Sequence, residues 1–254
     1  MRTAGCGVGL LLAACIGLSG CGSDAGDGAS AGSDGESSAD GAPADPGGVP
    51  ATGEVLFEDP LDDDQNGWAL PENEAARFYY EDGDFIWESK QQNLRPHLLA
   101  ATIGEAYDAG ELEMLDVVVR ADVTAVQGAA AAGVFCRESP DTDADFQWYE
   151  FVVRDGFAAI RIADTEGDLE VLAETEDLAL PMGEMFTMEA ACVDADGQAQ
   201  LWLTVNGEVT LQATHDEPLE NGAAGLQAYD APEAANAERF IIRWHEFTVF
   251  QAAN

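Results

Sequence analysis

The sequence has little positive charge. Only 10 of its 254 residues are lysine or arginine, against 49 aspartates and glutamates, and Lys90 is the single lysine. A protein that binds nucleic acid needs basic side chains to displace the counterions of the phosphates. The formal net charge of −39 therefore argues against nucleic acid as a partner, and also against docking on an anionic membrane surface.

Long apolar runs and helical periodicity are lacking as well. The apolar stretch from Val8 to Ile16 is too short and too rich in glycine for a transmembrane helix. No long segment repeats its apolar residues with the period of an amphipathic helix. Yet 46% of the residues are hydrophobic and 8% aromatic, too many for a disordered acidic chain. A folded domain without long helices is predicted.

The N-terminus has the order of an export signal that ends in a cysteine. Arg2 precedes the apolar stretch, and the run LSGC ends at Cys21. This resembles the bacterial lipobox, whose cysteine receives diacylglycerol and becomes the mature N-terminus. Cys15 is an alternative, but apolar residues follow it, whereas polar residues follow Cys21. The resemblance implies an exported chain, bound to the cell membrane through the lipid on Cys21, with its domain on the extracytoplasmic side.

The segment after this cysteine is predicted to be a flexible tether. Residues 22–53 contain 9 glycines, 7 alanines, 5 serines and 5 aspartates, and Val49 is their only large apolar residue. Such a composition cannot bury enough apolar surface to offset the entropy cost of ordering. The expected organisation is therefore a signal peptide over 1–20, a tether over 21–53 and one domain over 54–254.

Two cysteines follow the tether, Cys136 and Cys192, each in a strand-like segment. Outside the cytoplasm an isolated pair of this kind is typical of a structural disulfide. The alternative, a metal site, is disfavoured because the chain has three histidines and no CxxC spacing. A disulfide between Cys136 and Cys192 is therefore predicted.

From residue 54 onward, short apolar alternations are separated by turn residues. The pairs Asp155-Gly156 and Asn206-Gly207 predict two-residue β-hairpins. This pattern predicts an all-β fold of two packed antiparallel sheets. The predicted strands are Val55–Phe57, Arg77–Tyr80, Asp84–Glu88, Leu98–Thr102, Leu112–Val123, Ala131–Arg137, Phe146–Arg154, Ala158–Ala163, Leu169–Ala173, Phe186–Val193, Gln200–Val205, Glu208–Ala213, Ala224–Tyr229 and Phe240–Phe250.

The order of short motifs in this domain carries a further resemblance. The motifs are FEDP at 57–60, NGW at 66–68, YEDG at 80–83, GVFCR at 133–137, WYEF at 148–151, LTVNG at 203–207 and WHEF at 244–247. Together they resemble the concanavalin A-like (laminin-G-like) jelly-roll domains of bacterial lipoproteins and secreted multidomain proteins, over nearly all of residues 54–254. The resemblance implies a jelly-roll sandwich. Many such domains bind glycans, and some are glycosidases.

A catalytic site is not predicted. Jelly-roll β-glucanases carry a Glu-x-Asp-x-x-Glu run on one strand, which places two carboxylates at the cleft. Glu150 and Glu189 lie on predicted strands, but neither has a second carboxylate two or four positions further on. No nucleophile-elbow sequence accompanies the three histidines. We therefore expect that the protein is not an enzyme.

One acidic turn has the spacing of calcium ligands. Asp62, Asp64 and Asn66 alternate before Gly67, a D-x-D-x-N-G pattern that supplies oxygen ligands around a sharp turn. The residue at the position of the bidentate glutamate of an EF-hand is Asn73, so an EF-hand is excluded. The alternatives are a bracing calcium site and a solvated acidic turn. No other cofactor is expected.

Four side chains are candidates for binding sugar. Alternation along their strands places Trp202 on the polar face of Gln200–Val205, and Trp148, Glu150 and Arg161 opposite the apolar faces of their strands. If these faces coincide, the four form a platform with aromatic rings for the C–H face of a sugar and charged groups for its hydroxyls. The alternative places both tryptophans in the core.

The sequence therefore predicts a lipid-anchored, non-catalytic module that binds glycans. The main alternative is a structural or protein-interaction domain that contacts another protein of the cell envelope. A glycoside hydrolase is the weaker alternative.

Overall fold

The computed structural model describes residues 49–68, 76–89, 97–100, 114–127, 130–138, 147–164, 168–181, 183–230 and 240–253. The predicted signal peptide, Cys21 and nearly all of the predicted tether lie outside these ranges. Among the residues described, no helix is long and apolar enough to cross a membrane.

The described residues form β-strands joined by turns. The strands are β1 (Ala51–Asp59), β2 (Ala76–Glu81), β3 (Asp84–Ser89), β4 (His97–Ala100), β5 (Val117–Gln127), β6 (Ala130–Glu138), β7 (Gln147–Arg154), β8 (Phe157–Asp164), β9 (Leu169–Thr175), β10 (Met185–Ala195), β11 (Gln198–Val205), β12 (Glu208–His215), β13 (Ala223–Asp230) and β14 (Ile241–Ala253). Each overlaps a predicted strand.

The strands pair into two antiparallel sheets. The eight-stranded sheet has the order β12-β11-β10-β5-β14-β3-β2, and β1 pairs with β14 beside this path. The six-stranded sheet has the order β4-β13-β6-β7-β8-β9. The predicted all-β architecture of two antiparallel sheets is confirmed.

Tight turns set the register of the hairpins. In three hairpins the second residue of the turn is a glycine with positive φ; these turns join β2 to β3, β10 to β11, and β11 to β12. The residue before each glycine also has positive φ: Asp82, Asp196 and Asn206, respectively. Two successive positive φ angles are typical of a type I′ turn, whose twist matches that of the strands. The hairpins predicted at Gly156 and Gly207 are both confirmed.

The apolar core lies between the sheets, where alternate residues of facing strands meet. Trp87, Trp244 and Tyr149 are among its largest fully buried side chains. The predicted disulfide is confirmed: Cys136 on β6 bonds to Cys192 on β10, with their Cα atoms 6.8 Å apart. The bond therefore joins the six-stranded sheet to the eight-stranded sheet.

One strand begins later than predicted. β5 starts at Val117; Leu112 and Glu113 of the predicted strand lie outside the described ranges, and Leu115 and Asp116 take part in other contacts. The fully buried Arg137 donates to the carbonyl oxygen of Leu115 from Nε at 3.0 Å and from Nη2 at 2.7 Å. The Asp116 carboxylate accepts from the backbone N–H of Asp194 at 2.7 Å. This segment therefore closes one end of the core.

The first strand begins earlier than its apolar residues predict. β1 starts at Ala51 and pairs with the last residues of β14, Ala51 lying opposite Ala253. Backbone pairing at a strand end needs no large apolar side chain. The small residues of 51–53 therefore gave no strand signal in the sequence.

Candidate functional site

The outer face of the six-stranded sheet combines polar and aromatic side chains. Tyr149 and Phe151 of β7 face the core, so the alternate residues Trp148 and Glu150 face outward. Arg161 of β8 lies directly opposite Glu150 in the antiparallel register. Three of the four predicted sugar-binding residues therefore lie on one face, as their strand patterns indicate.

Glu150 is the most unusual residue of this face, since its side chain is 0% exposed. Its Oε1 lies 3.6 Å from Nη1 of Arg161, too far for a hydrogen bond. Neither carboxylate oxygen accepts a well-formed hydrogen bond from the described residues. Burial raises the pKa of Glu150 to about 7, although the charge of Arg161 and the amide of Gln227 oppose that rise.

Gln227 and Gly133 belong to the same face, although neither is among the residues predicted from the sequence. Gln227 lies opposite Gly133 in the pairing of β13 with β6. A Cβ atom at Gly133 would lie 2.8 Å from Cγ of Gln227 and 2.8 Å from the carbonyl oxygen of Phe151. Position 133 therefore requires glycine, because a larger residue would clash with the Gln227 side chain and with the backbone of Phe151 on β7. A glycine inside a strand was the available signal, because it marks a close approach.

The Gln227 side chain is also buried without well-formed hydrogen bonds. Only 1% of it is exposed, and within the described ranges its amide oxygen and nitrogen have no partner. The same holds for Nε1 of Trp148, which packs with Phe135, Ala163 and Ala223. We call Gly133, Trp148, Glu150, Arg161 and Gln227 the outer-face cluster.

A shallow groove opens beside this cluster at the end of β7, β8 and β9. It has a volume of about 200 Å³, and its polar lining includes Gln147, Asp164, Asp168 and Glu170. Ala163 lines the groove and also contacts Trp148. The groove therefore lies next to Trp148 of the cluster.

Trp202 does not belong to the outer-face cluster, so the prediction of a four-residue platform is wrong. Trp202 is buried on the outer face of the eight-stranded sheet, where it packs with Val118, Ala191, Val193 and Ala252. The alternation along β11 predicts its outward direction correctly. Alternation alone does not show which sheet a strand joins, and this strand joins the sheet opposite Trp148.

The outer face of the eight-stranded sheet carries polar groups that have partners. His245 lies 2.8 Å from Thr124 through Nε2 and 2.7 Å from Asp84 through Nδ1. This order of hydroxyl, imidazole and carboxylate activates nucleophiles in hydrolases. Here Thr124 is paired on both sides, with β10 and β14, so its surrounding backbone amides are not available to stabilise an oxyanion. The three side chains therefore connect β3, β14 and β5.

The predicted calcium turn lies between β1 and Trp68. Its base is Asp59, whose buried carboxylate accepts from the backbone N–H of Leu61 at 2.7 Å and from Nε1 of Trp68 at 2.5 Å. Asp62 and Asp64 are exposed, and Asn66 is half-buried. The described residues contain no group of three or more His, Cys, Asp or Glu side chains arranged to hold a metal ion. Calcium binding by Asp62, Asp64 and Asn66 stays a prediction.

Comparisons with known proteins show the fold. No protein family and no curated protein matches the sequence. Similar solved structures include a non-specific endo-β-1,3(4)-glucanase from family GH16, which is 12% identical, with 81% of this chain and 95% of that chain covered and a TM-score of 0.50. A native glycosidic hydrolase is 8% identical, with 80% and 99% covered and a TM-score of 0.50.

The carbohydrate-binding module CBM66 from Bacillus subtilis is 15% identical, with 77% and 96% of the two chains covered and a TM-score of 0.43. The likeness shows that this chain has a concanavalin A-like jelly-roll fold.

Proposed function

We propose that the domain binds glycans without cleaving them, through the outer face of the six-stranded sheet. The observation that carries this proposal is a set of buried polar groups, on Glu150, Gln227 and Trp148, that have no well-formed hydrogen bond to any of the described residues. Leaving such a group unpaired costs about 1–3 kcal/mol. A ligand that supplies the missing partners recovers this free energy on binding.

A sugar supplies the hydrogen-bond donors and acceptors that these buried groups lack. Each hydroxyl both donates and accepts, so one ring satisfies a carboxylate, an amide and an indole N–H together. The groove beside Trp148, at about 200 Å³, is smaller than the roughly 300–1,000 Å³ of a pocket for a drug-sized ligand. It therefore suits one sugar ring or the end of a chain.

The neighbours of Glu150 support a role without catalysis. Glycoside hydrolysis uses a pair of carboxyl groups about 5–9.5 Å apart. Glu150 is flanked across the sheet by Arg161 and Phe135, and along its own face by Trp148 and Val152. None of these four residues is acidic.

The location of the domain belongs to the same proposal. We propose that the lipid on Cys21 attaches the chain to the cell membrane and that residues 21–53 separate the domain from it. The disulfide between Cys136 and Cys192 supports an oxidising compartment outside the cytoplasm. A Cys21→Ser variant that still partitions with membranes would contradict the anchor.

A glycan array with matched variants tests the binding face. We expect the unaltered chain to bind, and Trp148→Phe and Glu150→Gln to weaken binding by about tenfold or more, equivalent to about 1.4 kcal/mol. Trp202→Phe and Glu189→Gln are the controls, because both residues lie on the other sheet. Loss of binding in the controls, with binding retained in Trp148→Phe, would show that glycans bind the outer face of the eight-stranded sheet instead.

One observation favours the alternative of a protein-interaction domain. β9 is an edge strand of the six-stranded sheet, and its Leu169 and Val171 are 45% and 48% exposed. An unpaired strand edge with apolar side chains can receive a strand from another protein. Pull-down of an envelope protein that is lost in Val171→Lys, from a chain that binds no glycan, would support this alternative instead.

A further inference from the structure

We propose that the ligand of the outer-face cluster is an uncharged sugar and that its binding removes a proton from Glu150. This inference rests on the proposed glycan binding and specifies its ligand class and its pH dependence.

The first step concerns the residues that face Glu150. Across the sheet it is faced by Arg161 of β8 and by Phe135 of β6, and Gln227 of β13 lies against Gly133 beside them. Among the described residues Arg161 is thus the one charged side chain that faces this carboxyl, at 3.6 Å. The Gln227 amide is uncharged and nearly fully buried.

The second step is the protonation state of the empty site. A carboxylate that is shielded from water and accepts no hydrogen bond is poorly stabilised, so the neutral acid is favoured. Burial accordingly raises the pKa of Glu150 to about 7. Near neutral pH, a substantial fraction of the unliganded protein therefore carries a proton on Glu150.

The third step is the effect of the ligand. Hydroxyl groups that donate to a carboxylate favour its charged form and lower its pKa. Binding through Glu150 therefore transfers its proton to the solvent, so affinity rises with pH through about pH 7 and becomes constant above about pH 8. If only the ionised form binds, a pKa of about 7 gives about tenfold tighter binding at pH 8 than at pH 6.

The fourth step concerns the charge of the ligand. Residues 54–254 contain 43 acidic and nine basic side chains, so the domain repels anions over its whole surface. A sugar carboxylate within the cluster would also lie beside the ionised Glu150. We therefore expect the site to prefer neutral sugars over their hexuronate counterparts.

Isothermal titration calorimetry on the full chain tests both the preference for uncharged sugars and the release of the proton from Glu150. The probes are matched trisaccharides of glucose, galactose and mannose and of the corresponding hexuronates. Each titration is run at pH 6 and pH 8, in two buffers of different ionisation enthalpy, which gives the number of protons released. We expect a neutral member to bind, with close to one proton released at pH 6 and almost none at pH 8, and its hexuronate counterpart to bind at least about tenfold more weakly.

Two variants identify the titrating group. Glu150→Gln should remove the pH dependence, whatever the affinity that remains. Glu138→Gln is the control, because burial also raises the pKa of Glu138 to about 7, and this variant should keep the proton release of the unaltered chain. If Glu150→Gln does not bind at all, the Glu138→Gln control decides. Proton release that is retained in Glu138→Gln supports Glu150 as the titrating group, and proton release that is lost in Glu138→Gln overturns that assignment.

The remaining outcomes separate this inference from the proposed function. Binding with no proton release at pH 6, or preference for a hexuronate, overturns the inference and leaves glycan binding intact. Failure of every probe to bind overturns both.

Discussion

The two outer faces of the sandwich each carry an arginine directly opposite a glutamate on the neighbouring antiparallel strand. On the eight-stranded sheet, Arg120 donates to Glu189 from Nε at 2.9 Å and from Nη2 at 2.6 Å, and the two side chains are 38% and 17% exposed. On the six-stranded sheet, Arg161 and Glu150 are 3.6 Å apart and are 11% and 0% exposed.

The comparison shows that burial, and not residue type, distinguishes the candidate site. The pair of Arg120 and Glu189 is hydrogen-bonded and partly solvated, so it needs nothing further. Glu150 is removed from water, and neither of its oxygens accepts a well-formed hydrogen bond from the described residues, which makes its charged form costly. Such an arrangement is expected where a ligand completes the contacts.

The largest expected effect concerns the bond that joins the sheets carrying these faces. Replacing Cys136 and Cys192 together by alanine removes a cross-link between residues 56 positions apart. The chain-entropy model gives a loss of about 4 kcal/mol in the free energy of unfolding. Denaturant unfolding, with and without reductant, measures it. An unchanged midpoint on reduction would contradict a structural role for the bond.

The next effect sharpens the contrast between the two glutamates. Because the pKa of Glu150 rises from 4.5 to about 7 on folding, the folded state holds its proton more tightly than the unfolded state. This contribution is fully present below about pH 4.5 and is lost by about pH 7, a decrease of about 3 kcal/mol in the free energy of unfolding.

Glu150→Gln should remove that part of the pH dependence and leave the variant more stable than the unaltered chain at pH 8. Denaturant unfolding at pH 5 and pH 8 measures both effects. Glu138→Gln is needed for comparison, since the pKa of Glu138 is raised by burial in the same direction. A Glu150→Gln variant with the full pH dependence of the unaltered chain would show that Glu150 is solvated.

The smallest effect is expected at the exposed pair. Glu189→Gln should lower the free energy of unfolding by at most about 1 kcal/mol, since partly exposed ion pairs are worth little. Molar salt should reduce even this difference, because it screens exposed charges. Thermal melts of both chains at low and high salt test it. A loss of about 3 kcal/mol, as large as the pH-dependent change expected for Glu150, would remove the contrast between the two faces.

Much of the fold is predictable because its signals are local. Asp-Gly and Asn-Gly pairs predict tight turns wherever they lie between strand-like segments, and the hairpins at Gly156 and Gly207 follow from them. The strand that begins at Val117 is predicted to begin earlier, but Leu115 and Asp116 form hydrogen bonds with Arg137 and Asp194. Those partners are distant in sequence.

The candidate site was only partly predictable. Alternation predicts that Trp148, Glu150 and Arg161 each point away from the apolar side of their strand, and the tight hairpin between the two strands places them on one face. Trp202 was added on the same periodicity, but no local signal connects β11 to β7. Gln227 was missed for the same reason, since β13 reaches the cluster only through its pairing with β6.

The sequence by itself determined the strands and the two-sheet class through the periodicity of apolar residues, and the hairpins through the residues of their turns. It also determined the pairing of Cys136 with Cys192, because these are the only two cysteines after the predicted tether. Only the tertiary structure decided which outward-facing residues share a face and which of them are shielded from water. Both depend on pairing between strands that are far apart in the chain, and hydrogen-bonded strand order leaves no mark in the alternation of side chains.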